Sequence, residues 1–66
     1  MNTYTITITM ANKVTLCTVE AMSAEMAVRS IMCWYSNNTL FTINNVTYKK
    51  VATDNSVTGY TELIKI

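Results

Sequence analysis

Apolar and polar residues alternate without a break over residues 3–10, TYTITITM. Tyr4, Ile6, Ile8 and Met10 fall on one side and Thr3, Thr5, Thr7 and Thr9 on the other, the period of a β-strand with one face buried. Residues 14–21 also read as strand but change phase, with Val14 and Leu16 at even positions and Cys17, Val19 and Ala21 at odd ones. A two-residue hairpin loop at Asn12-Lys13, with Ala11 opposite Val14, reconciles the two runs. Ile8 then faces Cys17, Ile6 faces Val19 and Tyr4 faces Ala21, and directly opposed residues share a face. The other face receives Thr5, Thr7 and Thr9, with Thr18 opposite Thr7. It leaves Val14 and Leu16 exposed.

The period lengthens to that of a helix over residues 23–35, SAEMAVRSIMCWY. Ser23 suits the N-cap, where its hydroxyl accepts from a free N–H of the first turn, and Glu25 lies at the positive end of the helix dipole. Ala24, Ala27, Val28, Ile31, Trp34 and Tyr35 recur at steps of three and four, which predicts a single buried face. The opposite side carries Glu25 and Arg29, spaced as an i,i+4 ion pair. Met26 and Cys33, seven apart, share that side. Ser36-Asn37-Asn38 is the expected stop, because Asn tolerates the left-handed conformation that ends many helices.

Strand signals return at residues 40–43 and 46–52, separated by Asn44-Asn45, a pair suited to a tight turn with positive φ. That turn sets Ile43 against Val46 and Phe41 against Tyr48 on one face, and Leu40, Thr42, Thr47 and Lys49 on the other. Thr53-Asp54-Asn55-Ser56 reads as a loop. Residues 57–66 read as a last strand, with Leu63 against Val46, Tyr60 against Lys49, and Ile64 and Ile66 outward. The fold implied is α+β: ββαβββ, a five-stranded antiparallel sheet with one helix packed on one face, in a single domain spanning residues 1–66. Its outer face is rich in Thr but dotted with Val14, Leu16, Leu40, Val51, Tyr60 and Ile64.

Composition sharpens this picture. Half of the 66 residues are hydrophobic and only 14% are charged. A chain this short buries only about 60% of the surface it exposes when unfolded, so association with itself or with a larger partner is expected to complete the burial. No apolar run approaches membrane-spanning length and no basic segment leads into an apolar core, so neither a membrane nor a secretory route is expected. The expected location is the cytoplasm. There Cys17 and Cys33 are expected to be free thiols behaving as small apolar groups.

Candidate chemistry is sparse. Without histidine there is no ordinary imidazole base, and Glu20, Glu25, Asp54 and Glu62 show no paired spacing. Cys33 has neither a histidine nor a helix N-terminus beside it to activate its thiol. Two cysteines without histidine make no usual zinc site. No enzyme activity, metal or cofactor is expected. Lys49 and Lys50 with Tyr60, joined by Lys13 and Lys65, suggest an aromatic, basic platform for nucleic acid, but five positive charges are nearly balanced by four negative ones. Trp34, Tyr35, Phe41 and Tyr48 are expected to pack as core where the helix meets the third and fourth strands.

The order of a hairpin, a Ser-capped helix entered through VEAMSAEMAV (residues 19–28) and a three-strand meander resembles that of many very small phage-encoded proteins. Some anti-CRISPR proteins that plug an effector complex share it. The resemblance is one of size and element order, and it implies a non-enzymatic inhibitor that binds a host protein or complex and blocks it sterically. Read together with the outer-face pattern, the expected contact residues are Val14, Leu16, Met26, Lys49, Lys50, Tyr60 and Ile64. A homodimer through the outer sheet face or an edge strand is a second expectation, and a small nucleic-acid-binding module using the open face is the alternative function.

Overall fold

The computed structural model describes residues 1–52 and 61–66. Five strands and one helix follow in the order β1 (Asn2–Met10), β2 (Lys13–Ala21), α1 (Ala24–Ile31), a single 3-10 turn (Met32–Trp34), β3 (Leu40–Ile43), β4 (Val46–Ala52) and β5 (Thr61–Lys65). The strands form one antiparallel sheet in the order β2-β1-β3-β4-β5. This is the α+β architecture the alternation implies. The loop expected at Thr53 to Ser56, the start of the last strand and Tyr60 lie outside the described residues.

The sheet order explains the helix. β2 and β3 both run antiparallel to β1, so they are parallel to each other with β1 between them. The segment joining them must therefore cross β1, and a helix is the compact way to cross a strand. Its N-cap is Ser23, whose hydroxyl accepts the Met26 N–H at 3.2 Å, as the sequence suggested. Arg29 approaches Glu25 at 3.8 Å across one turn, an exposed pair of small energetic weight. Ala27, Val28 and Ile31 turn inward over Ile6 and Ile8 of β1, both fully buried, and over Phe41 and Ile43 of β3. Ile8 lies directly opposite Phe41 across the β1–β3 ladder, so the two side chains share the covered face.

Registers depart from expectation by even steps. The first hairpin loop is Ala11-Asn12, with Met10 opposite Lys13, and Ile6 faces Cys17 while Ile8 faces Thr15. This arrangement pairs nine residues without a bulge, one more than the expected register would pair. Thr18 consequently lies opposite Thr5, and Leu16 opposite Thr7. At the other edge Leu63 lies opposite Lys50 and Ile64 opposite Lys49. Because side chains alternate with a period of two, slips of two or four residues change neighbours but leave the apolar side chains on their expected faces. The second hairpin has the expected register, with Ile43 against Val46 and Phe41 against Tyr48. Its Asn44 and Asn45 both take positive φ, 50° and 65°, the primed turn that suits the twist of paired strands.

Two expectations about the end of the helix are corrected. The α-helix stops at Ile31 and continues as one tighter turn, whose three residues per turn rotate the following side chains away from the 3.6-residue stripe. Met32 is thereby buried and Trp34, expected in the core, stands 76% exposed. Tyr35 still packs on Phe41, edge to face with ring centroids 5.7 Å apart. The second correction concerns Lys50, which was expected on the open face beside Lys49. Consecutive strand residues point to opposite faces, and Lys50 points under the helix, only 7% exposed. Its ammonium donates to the Met32 carbonyl at 2.8 Å and the Tyr35 carbonyl at 2.6 Å.

Lys50 also binds the incoming chain through its backbone. Its N–H donates to Thr39 O at 3.1 Å, and its carbonyl accepts the Asn38 N–H at 2.7 Å. Asn38 takes positive φ, 72°, as expected of a helix-stop asparagine, and aims that N–H at β4. The hydroxyl of Thr39, buried beside this junction, has no partner among the described residues. An ammonium in an apolar interior is unfavourable unless its donors are met, and here the negative end of a helix meets them. Lys50→Met keeps the apolar stem but strips the Tyr35 carbonyl of its donor. It should lower unfolding stability by about 2 kcal/mol in urea titration. An unchanged midpoint would show that the ammonium does not secure the helix end.

Candidate protein-interaction surface

The helix covers one side of the sheet, and on the other side two rows of side chains cross it. Ladder partners place Val14, Thr9, Leu40, Lys49 and Ile64 in one row across all five strands. Leu16, Thr7, Thr42 and Thr47 form the row beside it. Ile66 flanks that second row, its N–H donating to Thr47 O at 2.8 Å. The centre of this face is a threonine ladder. Thr42 and Thr47 oppose each other in β3 and β4, with their hydroxyls 3.0 Å apart in a hydrogen bond. β-branched threonine fits a pleated surface and can bond sideways to its neighbour, so the face is ordered without being charged.

The margins of the face are apolar. Val14 and Leu16 on β2 are 65% and 68% exposed, and Ile64 on β5 is 49% exposed. Leu40 and Val51 are half-buried between them. The charged side chains that strand alternation places on this face among the described residues are Lys49, Glu20 and Glu62. One cation and two anions do not form a phosphate-binding field.

Of the residues expected at a contact surface, Val14, Leu16, Lys49 and Ile64 are brought onto one face. Lys50 is not among them: it is turned to the opposite side and engaged at the helix end. Met26 also lies away from the sheet, half-exposed on the outward side of α1. Tyr60 lies outside the described residues. Lys13 lies opposite Met10 and Lys65 opposite Tyr48, both in phase with the covered face, so neither joins Lys49. The basic platform suggested by the lysines is therefore not assembled among the described residues.

No match was found among protein-family models, curated proteins or solved structures. The surface has to be read from its own chemistry. Among the described residues no cavity opens, and no three of the His, Cys, Asp or Glu side chains gather as metal ligands. No helix is long and apolar enough to cross a membrane. Cys17, half-buried on β2, and Cys33, exposed at the helix end, are both free thiols.

Sequence reasoning missed two exposed apolar side chains near the helix ends. Met22 before the helix and Trp34 after it join Met26 as exposed large side chains. The cue for Trp34 was its position at the end of the periodic run, next to the Asn-rich stop, where a helix commonly tightens. An exposed Trp34 contributes little to the fold. Trp34→Ala should change unfolding stability by no more than about 0.5 kcal/mol. A loss several times larger, measured by thermal or urea unfolding, would return Trp34 to the core.

Proposed function

We propose that this chain is a non-enzymatic interaction protein that presents its open sheet face to a protein partner and acts by occupying the partner's surface. The observation that carries this reading is the composition of that face: a threonine ladder between the apolar margins Val14, Leu16 and Ile64, with one lysine set against two glutamates. Protein interfaces are depleted of charge at their core, and a sheet face with an uncharged centre and exposed aliphatic side chains at its margins meets that requirement. The resemblance in element order to small phage-encoded inhibitors gives the proposal its more specific form. In that form the chain is encoded by a phage or mobile element, works in the host cytoplasm, and blocks a host protein or complex of the defence machinery.

The competing nucleic-acid reading loses its main support with Lys50. A surface that holds duplex or single strands needs cations on the contacting face, and Lys49 is the one that alternation puts there among the described residues.

The two margins give the test. Leu16→Glu and Ile64→Glu each place a charge on the open face without touching the covered core. Tagged wild-type chain should retain a defined set of host-lysate proteins. Either substitution should lower that retention at least tenfold with the circular dichroism spectrum unchanged, while Met26→Glu should leave it intact. Retention that survives both open-face substitutions would rule out this face. Binding to a random oligonucleotide that weakens steeply with salt would favour the nucleic-acid reading instead.

A further inference from the structure

One edge of the sheet is left open in a way that the face-binding proposal does not use. β2 ends the sheet, and its outer edge pairs with nothing among the described residues. The ladder registers show which backbone groups point outward there. In a two-residue hairpin the flanking residues Met10 and Lys13 form a hydrogen-bonded pair, and such pairs recur at every second position. Lys13, Thr15, Cys17, Val19 and Ala21 thus bond to β1, while the N–H and C=O groups of Val14, Leu16, Thr18 and Glu20 face away from the sheet. The same alternation, carried across the sheet, turns Thr47 toward β5, where its carbonyl accepts the Ile66 N–H.

Proteins usually blunt such an edge with proline, a bulge or a charge in mid-strand. β2 has none of these. Its register is unbroken over nine residues, and the run from Val14 to Val19, VTLCTV, is uncharged and rich in β-branched residues. The opposite edge strand, β5, carries Glu62 and Lys65 within its described span Thr61–Lys65. The edge strand with an uncharged middle among the described residues is therefore β2.

We infer that β2 pairs antiparallel with β2 of a second copy, about a two-fold axis through Cys17, to give a continuous ten-stranded sheet. Two features favour this pairing. Centring on Cys17 is the register that pairs all nine residues, and it engages all four outward-facing residues, Leu16 with the partner's Thr18 and Val14 with the partner's Glu20. Finally, a two-fold consumes both β2 edges and closes the assembly, whereas pairing β2 with β5 would propagate without end. Val14 and Leu16 gain neighbours across the seam, and the open faces of the two copies join into one. The inference stands whether or not that face binds another protein.

The two-fold position makes a chemical test available. Cys17 and its symmetry mate form a non-hydrogen-bonded pair, for which Cα atoms lie about 4.5 Å apart, within the roughly 4.4–6.8 Å a disulfide spans. Sedimentation equilibrium of the full chain should give twice the monomer mass of 7.4 kDa. Diamide, which takes up the two electrons and two protons released by a pair of thiols, should cross-link the wild type and Cys33→Ser into covalent dimers but leave Cys17→Ser uncross-linked. Thr18→Pro removes an outward N–H without removing a bond to β1, and proline is tolerated at such edge positions. It should weaken association at least tenfold and abolish cross-linking while the circular dichroism spectrum stays that of the wild type. A monomer at all concentrations, a dimer that diamide cannot link through Cys17, or a dimer that persists in folded Thr18→Pro would each overturn the pairing. Should Thr18→Pro not fold, the mass and the Cys17 cross-link decide alone.

Discussion

A lysine under the helix holds this small fold together. Lys50 is the point at which the crossover segment meets the sheet: its ammonium takes the Met32 and Tyr35 carbonyls, and its backbone takes Asn38 and Thr39. Four contacts from one residue hold both the end of the helix and the loop that leads into β3. An eight-residue helix has little stability of its own. It persists because its apolar stripe is set down over Ile6 and Ile8 while its C-terminal carbonyls are tied to β4. Leu63, directly opposite Lys50 on β5, packs against the same core and brings the last strand into the arrangement.

This constraint gives the molecule two unlike sides. The crossover over β1 commits the helix to one face, and with 66 residues nothing among the described elements is left to cover the other. That face is consequently furnished with residues that tolerate water yet do not repel a partner: threonines bonded sideways in the centre, aliphatic groups at the margins. The long edge of β2 is the second surface the topology leaves unsatisfied. Among the described residues these two surfaces are where binding free energy is available.

Much of this was legible in the sequence because it depends on local periods. Strict alternation placed Ile6 and Ile8 on the covered face and Thr5, Thr7 and Thr9 on the open one, Ser23 marked the helix start, and Asn44-Asn45 marked the turn. Even the misjudged registers of β2 and β5 kept the apolar side chains on their proper faces, since they erred by whole periods. What was not legible depends on contacts between distant segments. Alternation from Tyr48 turns Lys50 inward, but a buried lysine runs against the residue's usual preference, and the carbonyls that meet its ammonium come from a distant segment that the strand pattern does not show. Trp34 was misplaced for a related reason. A period of 3.6 was extended past Ile31, where the chain tightens to release Tyr35 and Asn38 toward Phe41 and β4.

The claim on which the rest depends is that the sheet is covered on one side only. A water-soluble paramagnetic probe added to isotopically labelled protein, read through methyl relaxation, tests it most directly. The account predicts strong broadening of the Leu16 and Ile64 methyl signals, and sharp, unaffected signals from Ile6, Ile8 and Ile43. Equal broadening of both sets, or protection of Leu16 and Ile64 with broadening of Ile6 and Ile8, would contradict it.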